Sequence, residues 1–168
     1  MADLPPFQAL LDDHAADLAR FVRALAGPGD ADDVFQDTVV AALRGYPALR
    51  HADNLRGWLF TIARRQVIDR ARRRARAPAV LALVTADAGS SPAVTEPAST
   101  DPEWSEPDPA LWAAVRRLPP RQRDCVAARF VLDLPYREVG ELVGCSEAAA
   151  RQNVREALRK LQEELTDA

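Results

Sequence analysis

Apolar residues recur at helical spacing from the start of the chain. Phe7, Leu10, Leu11, Leu18, Phe21, Val22 and Leu25, with His14 among them, fall on one stripe, and Gly27-Pro28-Gly29 ends the run. Asp30 is placed to cap a second helix, with Val34, Phe35, Thr38, Val39, Ala42 and Leu43 as its inner face. Gly45-Tyr46-Pro47 stops that helix. A third begins near Asp53 or Asn54, carries Leu55, Trp58, Leu59 and Ile62 on one face, and continues into arginines beyond the end of the stripe.

The pattern then breaks. From Ala77 to Pro107 the prolines at 78, 92, 97, 102 and 107 alternate with Ser, Thr, Asp and Glu, and only Val80 to Val84 could hold local structure. Helical spacing returns with Leu111, Trp112, Val115 and Leu118, stopped by Pro119-Pro120. Cys125, Val126, Phe130 and Val131 form the next stripe. A short helix, Tyr136 to Val143, a turn at Gly144-Cys145-Ser146 and a longer helix to about Leu165 complete the chain. The expected fold is all-α: a helical domain over residues 1–77, a flexible acidic Pro-rich linker over 78–107, and a second helical domain over 108–168.

Composition agrees with helices. Hydrophobic residues make up 48% of the 168, but many are alanine, and aromatics are only 6%. No apolar run reaches the roughly 18 residues of a membrane span, and Met1 to Pro5 lacks the basic-then-apolar order of a signal peptide. Two cysteines, Cys125 and Cys145, fit neither a disulfide scaffold nor metal-ligand spacing, and both fall at expected core positions. Charge changes the picture more. The net value is −3, yet Arg56 to Arg76 holds eight arginines against the single acid Asp69, while Ala77 to Pro109 holds six acids and no base. The average argues against nucleic acid; the distribution argues for it.

Three segments carry chemistry. Val139, Leu142 and Val143, then Gly144, then Ser146 as N-cap and Ala150, Val154, Ala157, Leu158 and Leu161 on one face, make a helix-turn-helix pattern. Its outer face offers Ser146, Glu147, Arg151, Gln152, Asn153 and Arg155, and Arg, Gln and Asn can each pair with base edges. The arginine run from Arg64 to Arg76 would neutralise several phosphates. Trp58 upstream suits either stacking on unpaired bases or packing in the core. In Asp30 to Asp37, the acids and Gln36 suit either the helix dipole or a basic partner. No catalytic set is visible: His14 and His51 are isolated, and there is no phosphate-binding glycine loop or metal cluster.

These segments together resemble a known family. Asp30-Ala31-Asp32-Asp33-Val34-Phe35-Gln36-Asp37-Thr38 is similar to the core-polymerase-binding helix of bacterial sigma factors. Trp58 to Arg64 and Ile68-Asp69-Arg70 resemble their promoter-melting helix. Leu118 to Arg123 and Tyr136 to Glu147 resemble their C-terminal domain. Two domains with a linker and little else is the layout of the extracytoplasmic-function (ECF) group.

The resemblance implies a cytoplasmic, non-enzymatic transcription factor with no cofactor. Asp32, Asp33, Gln36 and Asp37 would meet the β′ clamp helices of core RNA polymerase. The loop from Pro47 to Asn54 would hold an extruded base of the −10 element, with Asn54, Arg56, Trp58, Arg64, Arg65, Arg70, Arg72 and Arg73 on the opened strand. Ser146, Glu147, Arg151, Gln152, Asn153 and Arg155 would read the −35 element, with the domain seated on the β flap. The linker would thread toward the RNA-exit channel, and an anti-sigma protein is an expected partner. Glu156 and Leu158 stand where such families carry further basic residues, and Ala148-Ala149 replaces a commoner Gly-Thr, implying either a weaker −35 affinity or an unusual preference. The stop at Ala168 implies no added C-terminal regulatory domain. Two rival readings remain: a helix-turn-helix repressor or activator acting without polymerase, and an adaptor or sequestering module. The linker's acids Glu96, Asp101, Glu103, Glu106 and Asp108 are also placed to fold back over the arginine helix.

Overall fold

The structure is a computed structural model and describes residues 4–51, 53–84 and 109–166, with backbone only for 77–84. The described residues form helices and no strand. The order is α1 (Phe7–Ala26), α2 (Pro28–Gly45), a 3-10 turn (Tyr46–Ala48), α3 (Leu55–Val84), α4 (Pro109–Arg117), α5 (Pro120–Phe130), α6 (Tyr136–Val143) and α7 (Glu147–Thr166).

The boundaries follow local chemistry. Gly27 sits at φ +81°, where a side chain would be strained, and lets α1 turn directly into α2. Pro28 then takes the first helical position, where its missing N–H costs nothing. The helix therefore starts ahead of Asp30, which is not the cap that the sequence suggests but a buried residue of the first turn. Asn54 does cap α3, its Oδ1 accepting the Gly57 N–H at 2.8 Å. Ser146 caps α7 in the same way, accepting from Ala149 N–H at 3.1 Å. Between α6 and α7, Gly144 adopts the left-handed conformation that ends a helix.

Helix α3 runs on through residues 78–84, which the sequence reading assigned to the linker. The Ala- and Leu-rich composition there favours helix, and a single Pro78 does not end it. The remainder of the expected linker, with Glu96, Asp101, Glu103, Glu106 and Asp108, lies outside the described residues.

Helices α1–α3 form one unit and α4–α7 another, and the two pack together. One core runs through both: Leu18, Phe21 and Val22 of α1 with Leu59 and Phe60 of α3 join Cys125 of α5 and Val139 of α6. Phe21 and Phe60 meet edge to face with centroids 5.5 Å apart. A smaller core, with Val115, Leu118, Val126, Ala157 and Leu161, belongs to the second unit alone. Three residues assigned to apolar stripes are not inside: Leu43 is 53% exposed, Phe130 57% and Leu158 45%. Each lies at the edge of its stripe, where a helix turning 100° per residue carries it to the surface.

Candidate nucleic-acid interface

The acidic face of α2 is open. Asp32, Asp33 and Gln36 are exposed and Asp37 half-buried, while Val34 and Thr38 point inward. Thr38 satisfies its buried hydroxyl by donating to Val34 O at 2.6 Å. The same outer face continues into Val40 and Leu43, both exposed. Stripe reasoning placed Leu43 inside; its neighbourhood with Gln36 and Val40 at helical spacing was the available signal.

Helix α3 holds its candidate residues in three different states. Trp58 is half-buried against Tyr46, whose ring centroid lies 6.0 Å away, so its packing role is realised. Arg65, Arg72 and Arg73 are exposed, and Arg72 faces Asp69 only at 3.9 Å. Asn54 is exposed, with its Oδ1 committed to the cap. The other candidate arginines, Arg56, Arg64 and Arg70, are bound to carboxylates or carbonyls.

Two of them reach the second unit. Arg64 Nε donates to Asp124 Oδ2 at 2.7 Å, and that carboxylate is nearly inaccessible, with 2% of its side chain exposed. Arg123 approaches its other oxygen at 3.7 Å. Arg56 donates to the Leu132 carbonyl at 3.0 Å and to Asp17 at 3.3 Å, and lies over the Phe60 ring. Beside Arg56, Asn54 and Trp58 share a cavity of about 230 Å³ with Leu134, Glu138 and Glu141 of the second unit. Two carboxylates thus face the surface where a nucleic-acid strand was expected.

Arg70 is held within the first unit. Its Nε donates to Asp30 Oδ1 at 3.1 Å, with Nη2 3.0 Å from the same oxygen, and Nη2 donates to Asp33 at 2.6 Å. Arg74 pairs with the other oxygen of Asp30. The Arg70 pKa is raised from its ordinary value, chiefly because Asp30 accepts its hydrogen bonds.

The helix-turn-helix is built tightly. A Cβ on Gly140 would come within 2.6 Å of the Cys145 carbonyl oxygen, so this glycine is what lets the turn close onto α6. Gly144 and Cys145 both donate backbone N–H to the Gly140 carbonyl. Ala150, Val154, Ala157 and Leu161 bury the inner face of α7. Glu147, Arg151, Gln152 and Arg155 stand on the outer face, while Asn153 is half-buried and donates to Ala149 O. Arg151 pairs with Glu147 at 2.8 Å and lies 5.2 Å from the Tyr136 ring centroid.

Glu156 has a structural use. It accepts from the buried Gln122 of α5 at 2.9 Å and from Gln152 at 2.8 Å, tying α7 to α5. Cys125 is buried and Cys145 half-buried; burial pushes the Cys125 thiol up to about 12 from 9.0.

Comparison with known proteins finds a family match in each of the two units. The Sigma-70 region 2 family matches residues 10–77, and Sigma-70, region 4 matches residues 109–161. The chain is 30% identical over 166 residues to the ECF RNA polymerase sigma factor EcfG of Rhodopseudomonas palustris, covering 94% of this chain and 86% of that one. It is 28% identical to the ECF RNA polymerase sigma factor SigG of Mycobacterium tuberculosis over 86% of this chain, and spans 44% of that longer protein. Its fold is similar to that of CnrH in complex with the cytosolic domain of CnrY, with a TM-score of 0.66, 25% identity, and 96% and 88% of the two chains covered.

Proposed function

The chain belongs to the ECF RNA polymerase sigma factors, and from that premise we propose that it binds core RNA polymerase and directs it to promoters. In this reading Asp32, Asp33, Gln36 and Asp37, extended by the apolar Val40 and Leu43, dock on the β′ clamp helices. Arg56, Arg64, Arg65, Arg72 and Arg73, with Asn54 and Trp58, serve the opened −10 strand. Ser146, Glu147, Arg151, Gln152, Asn153 and Arg155 serve the −35 duplex, with the second unit on the β flap. Arg70 contributes to the −10 surface through its charge.

The supporting observation is the coexistence, in one chain, of an open acidic helix face, an arginine track and a helix-turn-helix. A repressor acting on duplex alone leaves the first two without a purpose. An adaptor leaves the track and the outer face of α7 without one. No catalytic step is assigned to the chain: the polymerase makes the phosphodiester bonds, and this protein supplies position and duplex opening. No described helix is long and apolar enough to cross a membrane, and the work proposed here belongs in the cytoplasm beside polymerase. The structure of CnrH is that of a complex with the cytosolic domain of CnrY, and an anti-sigma protein that stabilises the closed arrangement is part of the same reading.

Closure is central to how the protein would act. Arg56 and Arg64 hold the second unit and are also proposed to hold the promoter strand, so both occupants cannot be served at once. Joining polymerase must part the units before the −10 strand can bind. Run-off transcription with bacterial core polymerase, with and without the protein, on fragments that include its own upstream region, tests the reading. New discrete transcripts that disappear on charge reversal at Asp32 and Asp37 are expected. A duplex footprint by the protein alone with no transcript would replace this reading with the repressor.

A further inference from the structure

The four-residue cluster Asp30, Asp33, Arg70 and Arg74 joins the acidic face of α2 to the arginine track of α3. Its two carboxylates and two guanidinium groups sum to zero charge. The two acids are not equivalent. Asp30 has 11% of its side chain exposed and bonds both arginines, so it is the fixed anchor of the cluster. Asp33 has 59% of its side chain exposed and holds only Arg70, through one bond of 2.6 Å. A cation arriving at the outer face of α2 can therefore take Asp33 without disturbing Asp30.

Resting on the proposed docking of α2 against polymerase, we propose that Asp33 is a coupling residue, whose capture by a polymerase cation unbalances the cluster and adds the positive charge of Arg70 to the DNA-facing track. In the free protein the charge of Arg70 is spent on two acids, and the track presents chiefly Arg65, Arg72 and Arg73. Once Asp33 is engaged elsewhere, Asp30 alone offsets two arginines and one positive charge is left over. Asp30 keeps Arg70 and Arg74 at the surface of α3, so the surplus sits beside the exposed arginines. Two surfaces that recognise different partners are thereby linked through one carboxylate, and the free protein is a weaker DNA binder than the assembled one. Asp30 acts as a positioning residue and Asp33 as the exchangeable partner.

The test uses the full chain without polymerase, so it does not depend on transcription. Binding of a fluorescent single-stranded oligonucleotide is measured from about 50 to 300 mM salt for wild type, Asp33→Asn, Asp13→Asn, Arg70→Gln and the double variant Asp33→Asn/Arg70→Gln. Asp33→Asn removes the acid as a polymerase cation would. It is expected to tighten binding about threefold at low salt and to steepen the slope of log K against log salt by about 0.7, the increment for one further phosphate contact on a single strand. Asp13→Asn makes the same charge change on the exposed face of α1, and is expected to leave the slope at its wild-type value. Arg70→Gln alone leaves the cluster with one surplus negative charge and should weaken binding, and the double variant, whose cluster again sums to zero, should return the slope to its wild-type value. Equal steepening by Asp13→Asn and Asp33→Asn would reduce the effect to net charge and overturn the coupling. A double variant with a slope as steep as that of Asp33→Asn would show that the gain does not pass through Arg70, and would overturn it as well. Failure of run-off transcription, by contrast, would remove polymerase as the partner of α2 and leave the oligonucleotide result standing.

Discussion

Helix α3 and helix α7 both carry arginines proposed to meet DNA, yet only one of them is at liberty to use its full set. On α7, Arg155 is exposed and Arg151 engages only its own turn and the adjacent Tyr136. On α3, Arg64 is locked to a buried carboxylate of the other unit, Arg56 caps a carbonyl there, and Arg70 is shared between two acids. Under the proposed function, the difference matches what each helix would do before polymerase arrives. A recognition helix that reads a duplex can wait fully formed. A basic track proposed for opened DNA would bind any single strand it met, and here Arg56, Arg64 and Arg70 of that track are occupied by the protein itself.

The largest break in this comparison should come from Arg64→Ala. It strands Asp124 in the interior with Arg123 only at 3.7 Å, which by the usual cost of an orphaned buried charge lowers stability by about 3 kcal/mol. The counterpart Arg155→Ala on α7 should stay within about 0.5 kcal/mol, since nothing buried depends on it. Urea denaturation of the two variants measures both, and equal effects would remove the asymmetry.

Gly140→Ala comes next. The added methyl meets the Cys145 carbonyl oxygen at 2.6 Å and must push the turn away, for about 1–3 kcal/mol of destabilisation. Because that turn sets the angle of α7, −35 duplex binding should weaken more than single-strand binding does. The paired caps give a smaller and symmetrical effect: Asn54→Ala and Ser146→Ala each remove one N-cap bond and should each cost about 1 kcal/mol. Thermal melts of the pair show whether the two helices are equally stable in themselves, leaving the difference between them to their arginines.

The last effect is nil near neutral pH and develops only in alkali. The Cys125 thiol is raised in the folded protein by burial, so its contribution to stability is complete below its ordinary value near 9 and is lost as pH climbs toward about 12. Wild type should therefore lose stability relative to Cys125→Ala across that window, and the gap between the two should be constant below it.

Most of the helical plan was legible in the sequence because breakers and caps are local signals. Gly27, Pro47, Gly144, Asn54 and Ser146 act within a few residues of themselves; the structure uses Ser146 as read and, of the two starts open for α3, Asn54. Asp30 misled because an acid three residues after a glycine suits a cap, while Pro28 could claim the first turn. Its real partners are 40 and 44 positions away, and no periodicity reports them. The site was legible as a set of residue types and not as a set of states. Nothing in the spacing of Arg56 and Arg64 distinguishes them from Arg65 or Arg72. What separates them is the packing of the second unit, through Leu132 and Asp124, and that is a property of the tertiary structure alone. Glu156 likewise read as a missing base, and its purpose became visible only with Gln122 beside it.

The central claim is that one set of α3 arginines serves first the second unit and then DNA. It is tested most directly by following the distance between the units as polymerase binds. With Cys125 replaced by alanine and Cys145 by serine, donor and acceptor dyes at Ala16→Cys of α1 and Glu163→Cys of α7 report that separation by energy transfer. The account predicts high transfer in the free protein, a fall on adding core polymerase, and a comparable fall without polymerase in an Asp124→Arg variant that repels Arg64. Transfer that stays high in the transcribing complex would contradict it, because the promoter strand would then be held without the arginines that closure keeps.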